Sequence, residues 1–130
     1  MVDEFINDLK RDKARGNLAP HQIILLIALY NLSDQGHIFN FNIIELNAEF
    51  QKVWKEHQSK FKTRNNKIGL PLKAFLNREF IQIELTDTIS DFRKNQELEE
   101  KITELRIGNE IKKIMKQIEV KEYLITRISY

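Results

Sequence analysis

The chain of 130 residues contains no cysteine. This absence excludes disulfides, thiolate zinc sites, iron–sulfur clusters and cysteine nucleophiles, and it fits a reducing compartment such as the cytoplasm. Glycine and proline are scarce, with four and two residues, which predicts a mainly helical chain with few tight turns. No apolar run approaches the roughly 20 residues of a membrane-spanning helix, and the start, with Asp3 and Glu4, lacks the basic residues of a signal peptide. We therefore expect no membrane partner and a cytoplasmic location.

Hydrophobic residues make up 42% of the chain and charged residues 31%, which is the balance of a soluble globular protein. A chain of this length can bury roughly two-thirds of its unfolded surface, so we expect one domain over residues 1–130. Residues 23–29 are apolar on every side of a helix, which predicts a buried central helix. The expected fold class is mainly α, of the α+β type: a single helical domain with a central buried helix and a small two- or three-stranded sheet.

Helical periodicity and capping residues divide the chain into short elements. Predicted helices cover residues 2–14, 17–36, 42–58, 71–77, 95–105 and 119–129, and Asn109 is expected to cap a further one. Alternation predicts a strand over residues 80–85, and residues 37–41 form either a strand or an extended connector. The polar, basic stretch 58–69 is expected to be a loop.

The net charge is only +2, but its distribution along the chain is uneven. Segments 10–15 and 55–67 carry four and five bases against one acid each, whereas segment 84–100 is acidic. Basic surfaces attract polyanions, of which nucleic acid is the commonest. The charge alone is equally consistent with solvated lysine-rich loops.

Residues able to carry catalysis do not form a recognisable constellation. The three histidines, His21, His37 and His57, lack metal-ligand spacing. No serine lies in a nucleophile elbow, and no glycine-rich loop is present to hold phosphates. We therefore predict no catalytic residue, no metal and no cofactor, and a chain that is not itself an enzyme.

His21 follows Pro20 in the first turn of the predicted central helix. Free backbone N–H groups at a helix start attract anions, and the side chains of His21 and Gln22 could both donate to a phosphate oxygen there. Alternatively, His21 caps its own helix or packs in a polar pocket. The residues alone leave both interpretations open.

Two motifs extend this observation. The first is a basic segment ending in Arg15-Gly16, followed by Ala19-Pro20-His21-Gln22 and a run of Ile and Leu. The second, about fifty residues later, is Leu70-Pro71 at the start of a short helix, followed by the extended stretch 80–83. Together with two short amphipathic helices over residues 107–130, these motifs resemble the DNA sulfur-binding domain of type IV, HNH-associated, modification-dependent restriction endonucleases. The resemblance spans the whole chain.

The resemblance implies recognition of double-stranded DNA in which sulfur replaces a non-bridging phosphate oxygen, as the sensor module of a restriction system. It implies a sulfur pocket formed by His21, Leu70, Pro71 and Ala74. The residues expected to contact phosphates or bases are Arg11, Lys13, Arg15, Gln22, Lys62, Arg64, Lys67, Lys73, Arg93 and Lys94. We expect His21→Ala, Arg15→Ala and Pro71→Ala to weaken DNA binding, and His57→Ala to leave it unchanged.

Two positions depart from the family pattern. Gln22 stands where the family has Lys or Arg, which removes one charge-assisted phosphate contact. Leu70 stands where the family has an aromatic residue, which keeps the pocket apolar but removes a ring face. The alternatives are a general or differently modified DNA-binding module, or a protein-interaction domain that docks through segment 84–100. The sequence also leaves open a fused or partner nuclease and a homodimer.

Overall fold

The computed structural model of the protein describes residues 5, 13–14, 17–18, 20–33 and 40–128. The helices with defined bounds are α1 (His21–Ser33), α2 (Ile43–His57), α3 (Gly69–Asn77), α4 (Asn95–Lys101), α5 (Asn109–Met115) and α6 (Val120–Thr126). The strands are β1 (Lys13–Ala14), β2 (Asn17–Leu18), β3 (Asn40–Phe41), β4 (Ile81–Leu85) and β5 (Ile102–Ile107), and a 3-10 turn covers Gln58–Lys60. This is the expected α+β fold class, with a small sheet beside the helices.

Helix α1 forms the centre of the molecule. Residues 22–29 are all buried, and the helix packs against α2, α3 and α6. Each buried Ile or Leu side chain contributes roughly 1.5–3 kcal/mol relative to its exposed state. The predicted buried central helix is therefore confirmed, although it begins at His21 and not at residue 17.

Helix α2 begins where its cap predicts. The Asn42 side chain accepts a hydrogen bond of 2.7 Å from the backbone N–H of Ile44, which satisfies one of the free donors of the first turn. The buried face of α2 carries Leu46, Phe50, Val53 and Trp54 at helical spacing. This side of the helix lies against α1 and so completes the largest helix pair of the core.

Helix α3 ends in a Schellman motif that leads the chain into the sheet. The N–H of Phe80 donates to the carbonyl of Phe75 at 2.9 Å, and the N–H of Glu79 donates to that of Leu76 at 3.0 Å. Glu79 takes the left-handed position with φ 61°, where glycine is usual. The rings of Phe75 and Phe80 meet edge to face at 5.6 Å, which supplies the hydrophobic contact of the motif.

The main sheet is antiparallel and has the order β3-β5-β4. Strand β4 confirms the predicted strand over 80–85, and β3 shows that the uncertain segment 37–41 ends in a short strand. The predicted helix over 95–105 is wrong beyond Lys101, because residues 102–107 form the central strand. Leu98, Ile102 and Leu105 have helical spacing, but a register irregularity opposite residues 84–85 lets the last two be buried within a strand.

The chain before α1 also differs from the prediction. Lys13–Ala14 pairs with Asn17–Leu18 as two short antiparallel strands, so neither the predicted helix 2–14 nor the predicted helix 17–36 holds at these residues. Phe5 is helical and buried, and its ring lies 4.9 Å from that of Phe80. Two smaller corrections concern the C-terminal third: Gly108 and not Asn109 is the N-cap of α5, and the last helix covers only Val120–Thr126.

Candidate nucleic-acid interface

His21, the first residue of α1, is held between two other parts of the chain. Its Nε2–H donates to the backbone carbonyl of Asn65, and its ring centroid lies 5.0 Å from that of Trp54. Because a carbonyl oxygen only accepts, this contact assigns the proton to Nε2. The histidine therefore joins the start of α1 to the loop of residues 61–68, which we call the basic loop.

The basic loop lies over α2 and carries its charges outward. Phe61 packs edge-on against Trp54 at 4.6 Å, and Ile68 at the other end is buried in the core. Between these two anchors, Lys62, Arg64 and Lys67 are exposed. Both ends of the loop are therefore fixed while its cations face solvent.

The start of α3 abuts a second segment, residues 91–94, which we call the 91–94 turn and in which Arg93 and Lys94 are exposed. A Cβ on Gly69 would lie 2.5 Å from the carbonyl carbon of Phe92, and closer still to its oxygen, so only glycine fits this approach. Lys67 of the basic loop donates through Nζ to the carbonyl of Arg93 at 3.1 Å. Lys73 of α3 places its Nζ 5.8 Å from the centroid of the Phe92 ring. The loop, the helix start and the turn are thus neighbours.

Within the turn, Arg93 is oriented by Asp91. The Asp91 carboxylate accepts from the Arg93 backbone N–H at 2.9 Å, from Nε at 3.0 Å and from a terminal guanidinium nitrogen at 3.2 Å. Hydrogen bonds from Arg93 hold the pKa of Asp91 below its usual value, and the carboxylate in return raises the pKa of Arg93. The Arg93 side chain nevertheless remains 70% exposed, so it can reach a ligand in solvent.

Glu97 of α4 accepts hydrogen bonds that fix the start of the 91–94 turn. Its carboxylate accepts from the N–H and hydroxyl of Ser90 at 3.0 and 2.7 Å, from the N–H of Asp91 at 2.8 Å and from Lys101 Nζ at 2.6 Å. These donors, Lys101 first, hold the pKa of Glu97 far below its usual range. A shallow depression of about 420 Å³ adjoins this group of hydrogen bonds and is lined by Lys94, Glu97 and their neighbours. Part of the acidic segment 84–100 is thus committed to internal contacts.

The structure places the residues of the predicted sulfur pocket unevenly. Leu70 is 46% exposed and Ala74 is half-buried one turn further along the same side of α3. Pro71 is buried between them, and Gln22 is buried with only 8% exposed. Leu70 and Ala74 therefore offer an apolar surface to a ligand, whereas Pro71 and Gln22 lie mainly inside the protein.

Six predicted contact residues are exposed on three adjoining segments, whose exposed cations together we call the basic face. Its members are Lys62, Arg64 and Lys67 from the basic loop, Lys73 from α3, and Arg93 and Lys94 from the 91–94 turn. Lys13 lies in the strand pair that precedes α1, and Arg11 and Arg15 lie outside the described residues. Leu70 is exposed at the helix start that the loop and the turn adjoin.

The residues that hold this face together were not found by sequence reasoning. Asn65 and Asp91 act through contacts that the sequence does not mark, and the His21 contact joins positions 44 residues apart. Only the short Asp91–Arg93 spacing offers a local signal, since an aspartate two residues before an arginine can form a turn.

No protein-family model matches the chain, and no curated protein matches it in sequence. Among the residues that the structure describes, none of the helices combines the length and hydrophobicity needed to cross a bilayer. Within the same part of the chain, no group of three or more His, Asp or Glu side chains is placed to hold a metal ion.

Proposed function

We propose that the protein is a DNA-binding module that recognises phosphorothioate-modified double-stranded DNA and acts as the sensor of a restriction or defence system. Any cleavage would be carried out by a nuclease outside this chain. The proposal combines the motif resemblance with one structural observation, the convergence of predicted contact residues on the basic face.

The convergence is informative because it joins segments that are far apart in the sequence. Lys67 and Arg93 are 26 residues apart and in direct contact. The backbone of Phe92 and Arg93 lies against Gly69 at the start of α3, and Lys73 of the same helix reaches the Phe92 ring. Several cations close together match the repeated charge of a nucleic-acid backbone, which dominates the affinity of such complexes.

Leu70 supplies the feature that distinguishes sulfur from oxygen. The sulfur of a phosphorothioate is larger, more polarisable and less hydrated than the phosphate oxygen that it replaces. An exposed leucine flanked by cations favours such a group, because apolar contact gains free energy only from a poorly hydrated atom. Positively charged neighbours then hold the adjoining phosphates, which position the DNA without reading its sequence.

General DNA binding is a second candidate, favoured by a specific observation. Pro71 and Gln22, which the resemblance assigns to sulfur and phosphate contacts, are buried. In that case the cations of the basic face bind ordinary phosphates, and Leu70 contributes no preference for sulfur.

A competition titration separates the two candidates. Matched duplexes with and without one phosphorothioate are compared at about 150 mM salt, near physiological ionic strength, across several flanking sequences. A preference of tenfold or more, equivalent to about 1.4 kcal/mol, supports the sulfur reader. Equal binding supports general DNA binding, and no binding to either duplex favours a protein-interaction domain.

Two variants and one control locate the site. Lys73→Ala should weaken binding to both duplexes and lower the slope of log K against log salt by about 1. Leu70→Gln should reduce the preference for sulfur while leaving the affinity for unmodified DNA nearly unchanged. Lys113→Ala removes an exposed charge from α5, outside the basic face, and should alter neither quantity.

A further inference from the structure

Gln51 of α2 holds the middle of the basic loop, at Asn66. Gln51 Nε2 donates to the backbone carbonyl of Asn66 at 2.7 Å, and its Oε1 accepts from Asn66 Nδ2 at 2.8 Å. The second proton of the Gln51 amide reaches Asn47 Oδ1 at 3.2 Å, one turn back on the same helix. Because a backbone carbonyl only accepts, the Asn66 contact also fixes which way the Gln51 amide faces.

This pair restrains the loop together with the contacts of His21 with the Asn65 carbonyl and of Lys67 with the Arg93 carbonyl. Residues 62–67 form neither helix nor strand, and all except Thr63 are exposed. Hydrophobic packing holds only the two ends, at Phe61 and Ile68. Within the segment, the Asn65 carbonyl is held by His21 and Asn66 by Gln51.

The Gln51–Asn66 pair, which we call the clamp, lies close in the sequence to the cations of the loop. Asn66 follows Lys62 and Arg64 by four and two residues, so the clamp at Asn66 and the packing of Phe61 together restrain the backbone that carries both side chains. Exposed loops that are ordered before binding lose less conformational entropy when a ligand arrives. A loop without the clamp would have to become ordered at the moment of binding.

We propose that Gln51 is a positioning residue for DNA binding, which acts by ordering the basic loop so that Lys62 and Arg64 meet the phosphates. The inference rests on the proposed function. Gln51 itself touches no DNA, because its amide is already engaged by Asn47 and Asn66.

The test is a double-mutant cycle that includes the charges of the loop. Gln51→Ala should weaken DNA binding by about fivefold in the parent, and by less than about twofold in a Lys62→Ala/Arg64→Ala background. Gln58→Ala removes an exposed glutamine just beyond the same helix and should change the affinity in neither background. Urea unfolding of each variant shows that all are folded under the conditions of the titration.

Amide hydrogen exchange of the same proteins measures the order of the basic loop directly. Gln51→Ala should speed exchange at the Lys67 N–H, which donates to Asn65 Oδ1 at 3.2 Å, and Gln58→Ala should not. If the parent binds no DNA, the proposed function fails and this inference fails with it. If the parent binds and Gln51→Ala binds equally well, or loses the same factor with and without the loop charges, or leaves exchange at the Lys67 N–H unchanged, only the positioning role is overturned.

Discussion

Replacement of Gly69 by alanine tests the contact that brings α3 and the 91–94 turn together. The new Cβ would lie 2.5 Å from the carbonyl carbon of Phe92, whereas ordinary contact begins at 3.4 Å. Because the overlap with the Phe92 oxygen is larger still, the turn or the helix start would have to withdraw by more than about 1 Å, and overpacking of this kind costs roughly 1–3 kcal/mol. The obstructing atoms belong to the backbone of a turn held by Glu97, so we expect the upper end of that range.

Alanine also favours helix over glycine by up to about 1 kcal/mol, which leaves a net loss of about 2 kcal/mol. Urea unfolding followed by circular dichroism measures this loss as a fall of the midpoint by about 1 M, given a slope of roughly 2 kcal/mol per M. Gly108→Ala is the matched control. Its Cβ would approach the carbonyl oxygen of Glu79 at 2.9 Å, a smaller overlap. Alanine is also a poorer N-cap than glycine, and the two costs together should lower the midpoint by less than Gly69→Ala does.

The DNA titration supplies a second readout for the same variant. Displacement of the turn separates Arg93 from Lys67 and Lys73, so Gly69→Ala should also weaken DNA binding, and Gly108→Ala should not. An unfolding midpoint for Gly69→Ala equal to the parent's, or higher than that of Gly108→Ala, would show that the close approach is not a restraint and would refute the reasoning.

Two further predictions concern stability. Glu79→Gly should stabilise the protein by about 1 kcal/mol. A left-handed L-residue costs about 1–2 kcal/mol, but the greater flexibility of glycine in the unfolded chain offsets part of the gain. Glu79→Ala in the same urea assay should not change stability, and an equal gain would show that loss of the charge is responsible. His57 is half-buried and accepts from Lys60 Nζ at 3.0 Å; burial first, and then the lysine, lower its pKa from 6.5. Folding therefore favours the neutral ring, and this contribution is present above pH 6.5 and is lost as the pH falls through the lowered pKa. Unfolding midpoints between pH 7 and 5 should fall more for the parent than for His57→Gln, and parallel curves would contradict the pKa shift.

The fold was predictable wherever one local pattern decides the structure. The apolar run 23–29 follows Pro20, which suits a first helical turn, and has no solvent-facing side, so together they predict a buried helix. Asn42 and the Leu70-Pro71 step lie at helix starts for reasons that act within one turn. These elements depend on neighbours in the sequence, which sequence reasoning can see.

The secondary-structure predictions were wrong where the structure depends on pairing with another segment of the chain. Residues 102–107 have the spacing of a helix continued from α4, but they supply the backbone partners of both β3 and β4. A helix there would leave both flanking strands without hydrogen bonds. Similarly, Lys13–Ala14 continues a helical pattern locally, yet it pairs with Asn17–Leu18.

In the candidate site, too, the charged residues were predictable from the sequence, and the contacts that position them were not. The cations were predictable because charge is visible in the sequence, and the motifs indicated the start of α3. The contacts that order them, from His21 to Asn65 and from Gln51 to Asn66, join loops to helices across long separations. Nothing in the spacing of these residues marks them as partners.

Trp54 is the only tryptophan of the chain, and its place between His21 and Phe61 gives the protein a built-in optical probe. Intrinsic fluorescence excited at the indole reports on one corner of the molecule, where the start of α1 meets the basic loop. A change in emission on adding a ligand can therefore be assigned to that corner without any label. The same signal, followed after rapid mixing, would time the response of the loop separately from the unfolding of the helices.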